Sequence, residues 1–278
     1  MSIGPEFLYE NAFGRLLLKV FSARRLSILA GRFFDSPLSK CLIPSFVSKN
    51  GIELSECENT DFHSFNDCFT RQLKKELRPI DMDPKALIAP CDGLLSVWKA
   101  EKDTILPVKQ SHFLISDLFR DEKLAEEFYG GTCLVYRLCV NHYHRYIYPE
   151  SGSKGENTFI EGKLHTVRPV ALRKLPVFTE NCREYTLIDT ESFGKIAQIE
   201  VGAMFVGKID NYHGRKRVLR GEEKGKFLYG GSTIILLLQK DAVSMDEKIL
   251  QASLSGQEYP VKMGEKVGSC MYRKTANG

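Results

Sequence analysis

Five consecutive aliphatic residues, 234–238, follow the sequence Gly230-Gly231-Ser232-Thr233 and give the strongest structural signal in the chain. A short apolar run entered through a glycine turn predicts a strand buried in the core. Glycine reaches backbone geometries that other residues cannot, so this turn permits a strained peptide bond beside the Ser232 hydroxyl. Two interpretations follow: an ordinary turn into a core strand, or a serine placed to attack the Gly231 carbonyl and cleave the chain.

Short strand-like runs separated by Gly, Pro, Asn and Asp dominate the chain after residue 80. They are residues 87–89, 93–99, 133–140, 184–189, 196–206 and 232–239, and only 116–127 and 242–252 look helical there. Strands and helices do not alternate, which argues against a doubly wound parallel sheet. The pattern predicts an α+β protein whose β-rich part is mostly antiparallel.

The N-terminal part is predicted to be helical and amphipathic. Residues 7–34 place apolar side chains at helical spacing with basic residues between them. Residues 1–50 carry seven basic and three acidic side chains, whereas the remaining 228 residues are balanced in charge. Such a helix suits the surface of an anionic membrane, and it equally suits packing on the protein's own core.

Two further segments complete the N-terminal part. Residues 44–60 read as a polar loop, and residues 61–77 regain helical character before Arg78-Pro79-Ile80 closes the region. We therefore predict a helical membrane-contacting region over 1–80 and a β-rich catalytic domain over 81–278.

Composition favours a protein of the reducing cytoplasm. The eight cysteines form no C-x-x-C pair. The N-terminus shows no signal peptide, and no stretch approaches the roughly 18 apolar residues of a transmembrane helix.

Candidate catalytic side chains follow two of the predicted strands. Asp92, in Pro90-Cys91-Asp92-Gly93, lies at a turn where its carboxylate could orient a histidine. His142 and His144 occupy alternate positions after another strand, and a histidine is a general base near neutral pH. Cys139 with the two histidines gives C-x2-H-x-H, but no second ligand cluster is visible, so no metal is expected.

Ser232, His144 and Asp92 together allow two chemistries. One is a serine hydrolase with a nucleophile, a base and an orienting acid, although the chain has no G-x-S-x-G elbow. In the other, the same three groups act a single time and cleave the chain's own backbone at Ser232.

Several segments, in this order, resemble the pyruvoyl-dependent phosphatidylserine decarboxylase family. The resemblance spans about residues 61–270 and rests on the ordered set Phe65–Arg71 with Arg78-Pro79-Ile80, Pro90–Gly93, Tyr143-His144-Arg145, Leu164–Leu172, Glu200–Ala203 with Val206-Gly207, Gly221–Gly225 and Gly230–Thr233.

The resemblance implies a chemistry for Ser232. The hydroxyl would attack the Gly231 carbonyl, and elimination and hydrolysis would leave a covalent pyruvoyl cofactor on a small chain of 47 residues, with residues 1–231 as the large chain. The pyruvoyl group would form a Schiff base with the amine of phosphatidylserine and accept the electrons released as carbon dioxide leaves. The product would be phosphatidylethanolamine.

The resemblance also implies site residues, and this chain departs from the pattern at two of them. Asp92 would belong to the self-cleavage machinery, and His144 would deliver a proton after decarboxylation. The family usually reads Asp-Tyr-His-Arg-x-His, whereas here His142 replaces the aspartate and Ile147 replaces the second histidine. We therefore expect that His144 both activates Ser232 for self-cleavage and delivers the proton after decarboxylation, or that His142 or His165 substitutes as the base for self-cleavage. An uncleaved lipid-binding relative is the alternative.

A lipid substrate implies partners and a location. We expect the basic N-terminus to bring the enzyme to anionic phosphatidylserine as a peripheral protein on the cytoplasmic face of the membrane. No nucleic-acid partner is expected, and a homodimer is one option for the oligomeric state. By charge, the candidates for the lipid phosphate are Arg71, Arg78 and Arg145.

Overall fold

The computed structural model describes residues 24–102, 105–106, 111–163, 165, 177–202, 209–229 and 232–271. Antiparallel sheets dominate these ranges, with several short helices, so the α+β class is confirmed. The strands are β1 (Ala86–Ile88), β2 (Gly93–Ala100), β3 (Ile105–Leu106), β4 (Ser111–His112), β5 (Gly131–Leu138), β6 (Arg145–Ile147), β7 (Gly152–Ile160), β8 (Arg183–Thr190), β9 (Gly194–Val201), β10 (Ile209–Asn211), β11 (Lys216–Val218), β12 (Glu223–Phe227), β13 (Ser232–Leu238), β14 (Val243–Met245), β15 (Tyr259–Val261) and β16 (Lys266–Cys270).

Strand β13 lies inside an eight-stranded antiparallel sheet with the order β11-β7-β8-β9-β13-β5-β2-β15. All seven of its residues are buried. Ser232 pairs with Leu138 on β5, and Thr233 pairs with Val201 on β9. The aliphatic run fills the main hydrophobic core, which confirms the buried strand predicted from the sequence.

A three-stranded sheet, β10-β12-β6, covers one face of the large sheet. Lys224 on β12 places its Nζ 2.6 Å from Oε2 of Glu200 on β9. The Gln198 side-chain amide on β9 donates a hydrogen bond to the Ile147 carbonyl on β6, at 3.3 Å. We call β10-β12-β6 the covering sheet.

The helices are α1 (Arg24–Asp35), α2 (Ile43–Asn50), α3 (Phe65–Phe69), α4 (Ile115–Phe119), α5 (Glu122–Glu126), α6 (Val177–Glu180) and α7 (Glu247–Leu254), with 3-10 turns at Pro37–Leu42, Leu54–Glu56 and Lys75–Leu77. Helix α1 agrees with the end of the helix predicted over 7–34, and residues 7–23 lie outside the described residues. The amphipathic, membrane-contacting character of this region stays a prediction.

The polar loop predicted over 44–60 is wrong, because α2 occupies Ile43–Asn50. Pro44 lies in its first turn, where a missing N–H costs no intrahelical hydrogen bond. Phe46 is buried against the aromatic rings of α3, and Gly51 ends the helix with a φ of 60°. The proline, read as a loop residue, in fact marks a helix start.

The helix predicted over 61–77 is shorter than expected, since α3 covers only Phe65–Phe69, where the Ser64 side chain accepts a hydrogen bond from the Asp67 N–H. The helix predicted over 116–127 is divided into α4 and α5 by Arg120, which has a φ of 55°.

The described helices α1–α3 end before residue 80, and β1 begins at Ala86. Whether 1–80 and 81–278 are separate domains stays a prediction. Within the described ranges, no helix is long and apolar enough to cross a bilayer. The eight cysteines are free thiols.

Candidate active site

Ser232 begins β13, directly after Gly230 and Gly231, which lie outside the described residues. Its side chain is fully buried, and Oγ has no hydrogen-bond partner among the described residues. A buried hydroxyl without a partner is costly and uncommon in a folded protein. The serine is thus held in the core with its reactive oxygen unused.

The Ser232 side chain faces the covering sheet. Side chains alternate along a strand, so Ser232 and Ile234 share one face of β13. Ile234 pairs directly with Glu200 on β9, and Glu200 contacts Lys224 on the covering sheet. His144 immediately precedes β6 of this sheet, and its carbonyl accepts a hydrogen bond from the Phe227 N–H at the end of β12. Ser232 and His144 therefore belong to the same interface between sheets.

His144 is fully buried and held in one orientation. Its Nδ1 lies 2.9 Å from the His142 carbonyl oxygen, to which it donates, and its ring lies 4.1 Å from the ring of Phe69. Nε2 is buried without a partner. The pKa of His144 is lowered to about 3, chiefly by burial, and the nearby charge of Arg71 contributes to the decrease. At neutral pH the imidazole is neutral, with a free lone pair on Nε2.

The lowered pKa of His144 predicts a pH-dependent stability. The unfolded histidine gains a proton below pH 6.5, whereas the folded one stays neutral down to about pH 3. Stability is therefore fully present above pH 6.5 and is lost as pH falls through this window. We expect His144→Gln to reduce the slope of unfolding free energy against pH, between pH 5 and 6, by up to about 1.4 kcal/mol per pH unit. Urea denaturation at several pH values would measure it, and an unchanged slope would contradict it.

Glu200 and Lys224 form an ion pair of which both side chains are fully buried. Burial raises the pKa of Glu200 and lowers that of Lys224, while their mutual attraction opposes both shifts. Asn211 adds a hydrogen bond to each partner. The pair joins the covering sheet to β9, next to the serine strand. It was missed as a site feature, although a charged residue inside an apolar strand run was a usable signal.

Removal of one partner should leave an uncompensated buried charge. We expect Lys224→Met to lower the free energy of unfolding by about 3–5 kcal/mol. The exposed pair Lys99–Glu101 provides a control, because solvent screens this contact and Lys99→Met should leave the free energy of unfolding nearly unchanged. Urea denaturation followed by circular dichroism would measure both, and equal effects of the two substitutions would refute the expectation.

His142 and His165 flank the beginning of β13 from opposite sides. His142 follows β5, and its Nδ1 accepts a hydrogen bond from the Cys139 N–H at 3.1 Å. His165 lies beside the end of β9, because Asn181 donates hydrogen bonds to the carbonyls of both His165 and Gly202. Burial lowers the pKa of both histidines. His165 Nε2 is also 3.3 Å from Glu180 Oε2.

Asp92 precedes β2 at the same end of the large sheet, but its carboxylate contacts an arginine rather than a histidine. Arg78 donates from Nε and Nη2 at 2.7 and 2.5 Å, and the Met263 N–H donates at 2.9 Å. His144 Nδ1 is engaged by the His142 carbonyl. Ser232, His144 and Asp92 thus share a region without forming the hydrogen-bonded chain of a serine hydrolase.

The three arginines proposed for the lipid phosphate differ in availability. Arg78 is engaged by Asp92, and Arg145 contacts Glu223 and the Thr70 carbonyl. Arg71 is buried and donates to the carbonyls of Phe69 and Asn141, and its buried Nε has no partner among the described residues. Its role in phosphate binding stays a prediction. No metal-ligand cluster occurs in the part of the chain that the structure describes.

An aromatic cluster surrounds Tyr229, two residues before Gly231. Its members are Phe34, Phe46, Phe65, Phe69 and Tyr229, with ring centroids 4.8–6.3 Å from that of Tyr229. We call these residues the aromatic cluster. The sequence does not predict this cluster, because its members lie in separate segments of the chain and Phe46 falls in the range 44–60, which was predicted to be a polar loop.

A family model described as phosphatidylserine decarboxylase matches residues 65–269 of this chain. Among similar curated proteins, phosphatidylserine decarboxylase proenzyme 2 of Clostridium acetobutylicum is 42% identical over 264 residues, covering 95% of this chain and 90% of that protein. Phosphatidylserine decarboxylase proenzymes of Ruminiclostridium cellulolyticum and Clostridium perfringens are 40% and 41% identical, covering 96% and 94% of this chain and 91% and 90% of their own lengths.

Proposed function

This chain belongs to the phosphatidylserine decarboxylase family, and we propose that it cleaves itself between Gly231 and Ser232 to make its own pyruvoyl group. It is a carboxy-lyase that converts phosphatidylserine to phosphatidylethanolamine. The word proenzyme in the names of its relatives fits a precursor that is processed into two chains.

Self-cleavage and formation of the keto group together consume one water molecule. Ser232 Oγ forms a bond to the Gly231 carbonyl carbon as the peptide C–N bond breaks, which leaves an ester and a free amine. Loss of the Cα proton then expels the Gly231 carboxylate. Tautomerisation and hydrolysis release ammonia and leave the keto group on residue 232.

Two unused buried atoms support this chemistry most directly. Ser232 Oγ and His144 Nε2 both lack partners among the described residues, and they belong to the same interface between sheets. The pyruvoyl group would form from Ser232 itself, so it would occupy the buried position that the serine side chain now holds beside the covering sheet. The two atoms do not hydrogen-bond to each other, so transfer of the serine proton to His144 would require a movement that brings them within hydrogen-bond distance.

His144 is the base that we propose for the Ser232 hydroxyl, which accounts for the loss of the second family histidine at Ile147. Its imidazole is neutral, and its free Nε2 can accept a proton. In neutral His142, Nδ1 accepts a hydrogen bond from the Cys139 N–H, so Nε2 carries the proton and no ring lone pair is free. His165 Nε2 contacts the Glu180 carboxylate. Asp92 would act indirectly, since it fixes Arg78 at the same end of the sheet.

During turnover the pyruvoyl group would supply an electrophilic carbonyl for the lipid amine and accept the electrons released with carbon dioxide. The free Nε2 of His144 would take up the proton that the lipid ammonium must lose before it attacks, and would return that proton to the carbon that has lost carbon dioxide. The large and small chains would stay together, because β13 pairs with β9 and β5, and β16 pairs with β1.

We further propose that the basic N-terminus holds the enzyme on the cytoplasmic face of an anionic membrane as a peripheral protein. Residues 1–50 carry the whole net charge of +4. The protein should sediment with vesicles that contain 30% phosphatidylserine and be released by 0.5 M salt, and it should bind vesicles of neutral lipid several-fold less. Binding that is indifferent to both lipid charge and salt would contradict this.

Release of labelled carbon dioxide from carboxyl-labelled phosphatidylserine would test the function. We expect release by wild type, and inhibition by a carbonyl reagent that reacts with keto groups. Free serine and phosphatidylcholine are controls for substrate choice. Reaction of Ser232 with a fluorophosphonate, without released carbon dioxide, would instead indicate a serine hydrolase. Vesicle binding without either reaction would indicate a lipid-binding relative.

A further inference from the structure

We infer that Asn66 is a positioning residue for self-cleavage, because its carboxamide fixes the backbone three residues before Ser232. Asn66 Oδ1 accepts a hydrogen bond from the Tyr229 N–H at 2.9 Å. This inference rests on the proposed cleavage between Gly231 and Ser232. It assigns a task to the helical region, which contributes no reacting group to the proposed mechanism.

The orientation of the Asn66 amide is determined by a third residue. Asn66 Nδ2 donates to Asp35 Oδ1 at 2.8 Å. An ionised carboxylate only accepts, so the amide nitrogen has to face Asp35 and the amide oxygen has to face Tyr229. Asn66 is 4% exposed, whereas Asp35, at the end of α1, is exposed. The buried amide is thus held by a surface carboxylate.

The aromatic cluster fixes the Tyr229 side chain at the same place. The Tyr229 ring lies 4.8 Å from Phe34, 4.8 Å from Phe65 and 5.2 Å from Phe69, in edge-to-face geometry. Such edge-to-face pairs are favourable beyond the apolar area that they bury. Backbone and side chain of Tyr229 are therefore both anchored to the helical region.

Two anchors then bracket the proposed cleavage site. Tyr229 is fixed by α1 and α3, and Ser232 is fixed in β13 by pairing on both sides. Only Gly230 and Gly231 connect them, and three Cα steps span at most about 11 Å. Because glycine has the greatest backbone freedom, the restraint on this short connection comes from its two ends.

The same helix also positions the proposed base. Phe69 contacts the Tyr229 ring on one side and lies 4.1 Å from the His144 ring. Helix α3 therefore positions both the chain segment before the cleaved bond and His144, the proposed base for its cleavage. Asn66 is the polar member of this helix that holds the backbone directly.

Exchange of the Asn66 and Asp35 side chains provides the test. Asn66→Asp keeps an acceptor for the Tyr229 N–H but places two carboxylates together, so cleavage should slow by at least about tenfold, since a 1.4 kcal/mol loss is tenfold in rate. Addition of Asp35→Asn restores a donor to the new carboxylate, and the double variant should recover to within about threefold of wild type. Asp35→Asn alone should change the rate little, because its amide oxygen can accept from Asn66.

Cleavage would be followed in cell-free translation as conversion of the full chain into 231- and 47-residue chains. Asn50→Ala is the matched control, because Asn50 Nδ2 donates to the Phe46 carbonyl within its own helix α2, and its loss should leave the rate unchanged. The decarboxylation rate per cleaved chain should stay unchanged in all variants, which a general loss of structure would not allow.

A double variant as slow as Asn66→Asp, or an Asn66→Asp variant as fast as wild type, would overturn the inference while leaving the proposed function intact. A wild-type chain that never cleaves would overturn the proposed function and this inference together.

Discussion

Ser232→Ala should remain a single chain of 278 residues and release no carbon dioxide from phosphatidylserine. The methyl group can neither attack the Gly231 carbonyl nor become a keto group, so cleavage and cofactor are lost together. We expect no small chain after days of incubation, and activity at background. Denaturing mass spectrometry and labelled carbon dioxide release would measure the two effects.

Thr233 provides a matched control for this substitution. Its Oγ1 is also buried without a partner among the described residues, but it lies on the opposite face of β13. Thr233→Val removes a hydroxyl at nearly constant volume and should leave cleavage within about threefold of wild type. Cleavage in Ser232→Ala, or its loss in Thr233→Val alone, would contradict the assignment of Ser232.

Substitution of His144 should slow both self-cleavage and decarboxylation, each by about 10²–10⁴-fold, which is the usual contribution of a general acid or base. His144→Gln and His144→Phe remove the titrating nitrogen, and the phenylalanine retains a ring to pack on Phe69. Cleavage would be measured by cell-free translation, and decarboxylation would be normalised to the amount of small chain.

His142 and His165 serve as the competing candidates. His142→Gln and His165→Gln should each change the cleavage rate less than about tenfold, because hydrogen bonding of His142 Nδ1 and the Glu180 contact of His165 already engage these rings. A larger loss in either variant, together with near wild-type cleavage in His144→Gln, would transfer the role of base to that histidine. No effect from any of the three would remove histidine from the self-cleavage.

The sequence predicted the centre of this fold better than its periphery. Strand β13 was evident because five aliphatic residues in a row require burial on both faces. Strand β7, Gly152–Ile160, was missed because its sequence GSKGENTFI is polar, and its exposure alternates along the strand. Hydrogen-bonded pairing with β8 stabilises β7 as a strand, although its composition does not favour one. Helix α2 was missed because proline disrupts the interior of a helix but is tolerated in its first turn, where Pro44 lies.

The candidate site was only partly predictable for a related reason. Asp92, His142, His144, His165 and Ser232 could be named from local motifs and the family resemblance. Strand register brings the start of β13 next to the end of β5 and the start of β2, which are followed by His142 and preceded by Asp92. Their partners are distant in the chain: Arg78 for Asp92, and Phe69 for His144. No local pattern indicates that Asn66 would hold Tyr229, which is 163 residues away. Such contacts arise from tertiary packing.

The intact mass of the purified protein under denaturing conditions tests the central claim most directly. We predict two chains, residues 1–231 and 232–278, with the smaller lacking an N-terminal amine and gaining the mass of one carbonyl reagent. A single chain of 278 residues that does not react with the reagent would contradict self-cleavage, and with it the pyruvoyl mechanism proposed for Ser232.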